Sequence, residues 1–280
     1  MEKVAIDAHR RTPLSAVRAT AGVVMDFARA ANGTTRLANL EEYGGFRVKF
    51  PEPEHGCEAI TINTGGGMLG GDRYRFDVGA GAGATALVAS QSAERVYRAL
   101  DAPTEVGVTL RVEPGATLFW VPQPTILFSG ARLTRRIEAN VAGDATLLIA
   151  EAVIFGREAH GEDVRAGSLL DNWRIRRDGQ LVYADAVRLD GDMHMAMMEK
   201  AVANGARACA TVLYVAADAE GRRDRAREAL GEPAGRAALS AWNGMLVGRF
   251  LARDGATLRA DIIGLTEHLM RRPMSRVWNV

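Results

Sequence analysis

Apolar residues in this chain recur at every second position, in short runs closed by glycine or proline. Tyr74, Phe76 and Val78 alternate with Arg73, Arg75 and Asp77, and Val106, Val108, Leu110 and Val112 alternate with Gly107, Thr109 and Arg111. Successive side chains of an extended chain point to opposite faces, so period two marks strands with one buried face. Further short apolar runs lie at 85–90, 116–121, 126–128, 133–141 and 145–155, with Pro122, Pro124 and Gly130 between them. Strands of this length and punctuation predict an all-β stack. Two hairpins are expected, at Asp178-Gly179 and Asn243-Gly244, because both dipeptides favour the type I′ turn whose twist matches paired strands.

Helical period enters only in the last third. The Met- and Ala-rich stretch 193–204 is expected to be helical, with Asp192 as its N-cap and Gly205 at its end. The charged stretch 220–230 is expected to stop at Gly231. Leu258, Ile262, Leu265 and Leu269 fall on one helical stripe, with Pro273 just beyond. No repeat, low-complexity linker or composition break divides the chain. It reads as one mainly β domain spanning 1–280, with a few helices in the C-terminal third.

Composition removes several classes of function. A net charge of +1 over 280 residues lacks the broad basic footprint of a nucleic-acid binder. No apolar run reaches the roughly 20 residues needed to cross a bilayer. Met1-Glu2-Lys3-Val4 opens no signal-peptide segment, so the expected location is the cytoplasm. Cys57 and Cys209 are too few for a disulfide framework or a four-Cys zinc site. Lysines are confined to Lys3, Lys49 and Lys200, which leaves few candidates for a Schiff base or a phosphate grip.

The 30 glycines cluster most densely in Asn63-Thr64-Gly65-Gly66-Gly67-Met68-Leu69-Gly70-Gly71-Asp72. Gly66 and Gly71 have phosphate-loop spacing, but Asp72 stands where the phosphate-binding lysine belongs. Gly65, Gly67 and Gly70 satisfy G-x-G-x-x-G, yet a strand pattern follows where a dinucleotide site needs a helix. What remains is a sharp turn between strands, or a close backbone approach beside a buried acid, Asp72.

Other candidates are sparse. His55-Gly56-Cys57 and Asp190, Asp192 and His194 lack the spacing of a strong metal motif. No G-x-S-x-G elbow occurs, and His9, His55, His160, His194 and His268 form no local constellation. Glu151 is the conspicuous polar residue, because it interrupts the apolar run Leu147-Leu148-Ile149-Ala150-Glu151-Ala152-Val153-Ile154-Phe155. A charge there is costly unless paired or hydrated. Either it pairs with Arg157, six residues on and on the same face of an extended chain, or it lines an internal passage for water or a cation.

Several segments, in order, resemble the UreD family of urease accessory proteins. Asn63–Asp72 resembles its NTxGGxxGGD signature, and Gln91-Ser92-Ala93-Glu94-Arg95-Val96-Tyr97-Arg98 its next block. Val121-Pro122-Gln123-Pro124-Thr125-Ile126-Leu127-Phe128 is similar to its proline-bounded strand pair. Glu151, Phe155-Gly156-Arg157 and Gly161-Glu162 match its E-x-x-x-F-G-R-x-x-x-G-E block, and Arg276-Val277-Trp278 its closing R-V-W. Each motif is weak alone; five in order, from about Arg18 onward, are specific. Gly65 replaces a more usual Ala or Pro, and Ala159-His160 replaces a small residue and Met.

The resemblance implies stacked, helically wound sheets and a non-enzymatic scaffold without catalytic residues. It implies three protein partners: an all-α accessory protein of UreF type, a nickel-carrying GTPase of UreG type, and the urease apoprotein. Ni²⁺ would be cargo on its way to a carbamylated-lysine, two-nickel site, not a tightly bound cofactor. The implied passage residues are Asp72, Glu94, Glu151, Arg157 and Glu162, with Ser90 and Gln91 as weaker additions. His160 and His194 are weak metal candidates. Arg276 and Trp278 have the chemistry of interface anchors, although Trp278 could equally cover a core edge. From a different class, Asp72, Glu151 and a histidine such as His194 could instead serve a metal-dependent hydrolase or isomerase.

Overall fold

A computed structural model describes residues 18–51, 56–157 and 160–279. His9, His55 and Ala159 lie outside the described residues. Two sheets face one another, and the chain winds between them. The first sheet has the order β14-β13-β11-β8-β5-β1-β2. Its strands are β1 (Thr20–Arg29), β2 (Thr35–Tyr43), β5 (Arg73–Ala80), β8 (Thr104–Val112), β11 (Arg132–Val141), β13 (Ser168–Arg177) and β14 (Gln180–Asp190). The second has the order β16-β17-β15-β12-β9-β6-β4-β3. Its strands are β3 (Phe46–Lys49), β4 (Cys57–Asn63), β6 (Thr85–Ser90), β9 (Thr117–Trp120), β12 (Thr146–Phe155), β15 (Ala208–Val215), β16 (Arg236–Trp242) and β17 (Met245–Ala252). Short strands β7 (Glu94–Val96) and β10 (Thr125–Leu127) join it through β12.

Between β4 and β13 the main strands alternate from sheet to sheet, so neighbours within each sheet run parallel: β5, β8, β11 and β13 in one, β4, β6, β9 and β12 in the other. Parallel neighbours usually need a helical crossover. Here each crossover is a strand of the opposite sheet, which is the helically wound stack that the resemblance implied.

Alternation sends Tyr74, Phe76, Val78, Leu133, Ile137, Leu147, Ile149 and Val153 into the space between the sheets. The outer face of the second sheet is also covered. Helix α3 (Gly255–Met270) packs Leu258, Ile262, Leu265 and Leu269 against the cluster holding Leu148, Ala150, Ala152, Ala210 and Val212. Strand β12 is therefore buried on both faces, which explains its nearly unbroken apolar run.

The hairpin turns form as the dipeptides predict. Asp178 and Gly179 have φ of 48° and 77°, and Asn243 and Gly244 have 50° and 72°. Asp192 caps helix α1 (Met193–Met198) by accepting the Met195 N–H at 3.0 Å. That helix is shorter than the stretch 193–204 suggested. Met193 and Met197 are its two buried residues, and one i,i+4 pair gives too narrow a stripe to hold a longer helix. The charged stretch 220–230 opens as a 3₁₀ turn, Glu220–Arg222, and continues as α2 (Arg223–Leu230), with Gly231 at φ 58° closing it.

Candidate functional site

The inter-sheet core is not wholly apolar. Arg135 occupies an inward position of β11, between Leu133 and Ile137, and is 4% exposed. The parallel register sets Asp171 of β13 directly beside it. Arg135 donates from Nε to Asp171 Oδ1 at 3.0 Å, from Nη2 to Asp171 Oδ2, and from Nη1 to Oε2 of Glu151 on the opposite sheet. Two indole N–H groups complete the cluster: Trp120 donates to Glu151 Oε1 at 2.7 Å and Trp173 to Asp171 Oδ1 at 3.1 Å. Burial works against the Arg135 charge, and the Asp171 and Glu151 carboxylates overcome it, so the guanidinium is held firmly charged. Burial pushes the Glu151 carboxyl up, while Arg135 and the Trp120 N–H pull against it. The expected Glu151–Arg157 pair does not form, because Arg135 reaches Glu151 across the core.

Two cavities meet at this cluster. The larger, about 280 Å³, runs past Asp171 and Cys209 to Asp185 and Arg249. Arg249 donates to Asp185 Oδ2 at 2.6 Å, to the Tyr183 hydroxyl at 2.9 Å and to Thr211 Oγ1 at 3.1 Å. Asp185 and Arg249 are partly exposed, so this end reaches the surface. Burial pushes the Cys209 thiol up to about 11, which keeps it protonated at neutral pH. The smaller cavity, about 50 Å³, is lined by Ser90, Glu94, Trp120 and Gln123 among others. Among the described residues, Arg135 and Glu151 are the two that line both cavities. Glu94, Glu151, Asp171 and Asp185 thus form a file of carboxylates between the sheets.

Ser90, Glu94 and Glu151 are brought together. Ser90 Oγ accepts the Gln123 N–H at 2.8 Å. Asn63, from the glycine-rich signature, donates to Glu94 Oε2 at 2.9 Å. Burial raises the Glu94 carboxyl above its ordinary pKa, and the Asn63 hydrogen bond opposes that. A carboxyl raised by folding contributes stability fully present below its unfolded pKa and lost as pH rises through the folded one. Glu94→Gln is therefore expected to raise the thermal midpoint at neutral pH and to leave it unchanged in acid. Melting curves at the two pH values check this.

The other candidates lie elsewhere. Asp72 is 3% exposed and lines neither cavity. It accepts from the backbone N–H of Ala19 at 2.8 Å and Leu69 at 2.7 Å, and from the Tyr74 hydroxyl at 2.9 Å. It holds the glycine turn shut. Within that turn Gly67 has φ 149°, and a Cβ there would lie 2.4 Å from the Tyr97 ring. Asp72→Ala strands three donors and is expected to cost about 3 kcal/mol, as read by chemical denaturation.

Arg157 and Glu162 form a surface clasp at 2.8 and 3.1 Å, and the Arg157 hydrogen bond holds the Glu162 carboxyl low. Arg157 also stacks over Phe128 at 4.4 Å. Gly156, at φ 82°, must be glycine because a Cβ would meet the Glu162 carbonyl at 2.3 Å. Gln91 and His160 are exposed. His194 faces Asp163 at 3.4 Å and lines a separate cavity of about 190 Å³. Asp72, Glu151 and His194 therefore stand in three different places, and the hydrolase arrangement is not assembled.

Trp278 is 1% exposed and Arg276 is exposed. The Trp278 indole N–H donates to the Val121 carbonyl at 2.9 Å, and Arg259 stacks on its ring at 4.9 Å. Gln123 donates to the Val277 carbonyl at 2.7 Å. The closing R-V-W thus locks onto the V-P-Q-P segment that walls the smaller cavity. Asp171, Asp185, Arg135 and Arg249 were not among the sequence candidates. The available signal was an Arg or Asp at an inward position of an alternating strand, as in Leu133-Arg135-Ile137 and Leu169-Asp171-Trp173.

Fold and site define a class: a wound β scaffold with a polar file through its core. Among the described residues no three His, Cys, Asp or Glu side chains are grouped to hold a metal ion, and no helix is long and apolar enough to cross a membrane. The family model described as UreD urease accessory protein matches residues 19–279. Urease accessory protein UreD 3 of a Bradyrhizobium species (strain BTAi1) is 46% identical over 258 residues, covering 92% of each chain. Urease accessory protein UreD of Rhodopseudomonas palustris (strain BisB18) is 41% identical over 274 residues, covering 98% of each. The chain belongs to the UreD family of urease accessory proteins.

Proposed function

We propose that this protein is a maturation factor for urease, not an enzyme. It docks on apo-urease together with an all-α accessory protein and a nickel-carrying GTPase, and it assists nickel insertion. The single observation that carries a nickel role is the file Glu94, Glu151, Asp171 and Asp185 along two adjoining cavities. Nickel prefers imidazole and binds carboxylate and water more weakly. Spaced single carboxylates suit transit, because each site must release the ion to the next.

Arg276 offers an exposed contact for a partner, and Trp278 supports that surface from beneath. The reading is tested by co-expressing urease and its other accessory proteins with and without this chain, in the cytoplasm of a heterologous host. Urease activity and nickel content are expected only with the chain present. Equal activity without it would contradict the reading.

A further inference from the structure

Arg135 poses a problem for any cation crossing this core. Its guanidinium sits where the two cavities meet and lines both. It donates to carboxylates from both sheets, three hydrogen bonds in all. A dication cannot share Glu151 and Asp171 with a guanidinium at contact distance, since like charges repel strongly where water is scarce.

We propose that Arg135 is a tethered counter-ion that closes the junction at rest, yields its carboxylates to a divalent cation in transit, and then returns to expel it. The inference rests on the passage reading and adds how that passage is kept from becoming a store. With Arg135 seated, the cluster of one Arg, one Glu and one Asp carries a net charge of −1. With Arg135 displaced, a −2 pair faces a +2 ion, with the larger cavity supplying room for the guanidinium and for water ligands. Because the side chain stays tethered, it competes for the same oxygens at high local concentration. That competition weakens nickel binding and speeds release.

The test uses the full chain and nickel ion alone, titrated against a chromophoric chelator. Arg135→Gln is expected to gain one nickel per chain, bound roughly tenfold or more tighter than by the parent. Nickel should also raise the thermal midpoint of Arg135→Gln and leave that of the parent unmoved. The charge-balanced double variant Arg135→Gln/Asp171→Asn should return to parental affinity, which a purely structural role for Arg135 would not produce. At limiting nickel, Arg135→Gln should activate urease more slowly, and excess nickel should restore it.

A folded Arg135→Gln that binds nickel no more tightly than the parent overturns the proposal. If Arg135→Gln does not fold, Arg135→Lys replaces it: an ammonium cannot hold both carboxylates as the planar fork does, so a smaller gain is expected, and no gain overturns the proposal. The passage and the counter-ion fail separately. Glu94→Gln and Glu151→Gln with parental urease activation would remove the passage, and the counter-ion role with it. Lost activation in those two, with no nickel gain in Arg135→Gln, would remove the counter-ion role alone.

Discussion

Trp278→Ala is expected to lower stability by about 3–5 kcal/mol, and the thermal midpoint by roughly 10 °C. The ring is fully enclosed within the cluster that joins α3 to the second sheet. Its loss leaves a cavity, strands the Val121 carbonyl, and removes the stacking surface of Arg259. The damage extends inward, because Gln123, which holds the Val277 carbonyl, also lines the smaller cavity. Arg276→Ala, on the exposed side of the same turn, should cost less stability than Trp278→Ala. Parental stability of Trp278→Ala, with loss of the all-α partner in a pull-down, would make Trp278 an interface anchor instead.

Glu151→Gln is expected to cut nickel-dependent urease activation roughly tenfold or more. The substitution preserves shape and removes one negative charge from the junction. Charges about 4 Å apart interact by about 4 kcal/mol at an effective dielectric of about 20. The loss beside a dication therefore exceeds the roughly 1.4 kcal/mol that corresponds to tenfold in rate. The carboxamide also turns an N–H₂ toward Arg135 or the Trp120 N–H, a mismatch costing about 1–3 kcal/mol. The adjoining cavities can admit water to relieve it. Activity is therefore compared with folded fraction and partner binding measured on the same preparations. Activation equal to the parent's would remove Glu151 from the passage.

The wound β-stack was legible because local signals agreed with the fold. Period-two runs, the Asp-Gly and Asn-Gly turns and the α3 stripe each depend on neighbours in sequence. Glu151 was legible too, since a carboxylate amid nine residues otherwise apolar has to be accounted for. Its partner was not. Arg157 is near in sequence and would share Glu151's face if the strand ran on, but β12 ends at Phe155, Gly156 turns the chain and Arg157 closes a surface clasp with Glu162. Arg135 and Asp171 lie 36 positions apart and meet only through the parallel register of β11 and β13. Asp72 is legible as a buried acid beside a turn, but not as to its role: the passage implied for it is not where it sits, since it is bonded to that turn and lines neither cavity. Trp278 looked alike as anchor or as core cover, because a lone aromatic near a terminus does not reveal which side it faces.

The passage is tested most directly by blocking it without changing its charge. Cys209 is among the residues lining the larger cavity, near Arg135 and Asp171, and that cavity of about 280 Å³ has room for a larger side chain. Urease would be co-expressed with its accessory proteins and either the parent chain or Cys209→Phe, and nickel per urease active site measured on the purified enzyme. With folding and partner binding retained, the account predicts a large fall in nickel content for Cys209→Phe. Nickel loading equal to the parent's would show that the ion reaches urease by a route outside this core.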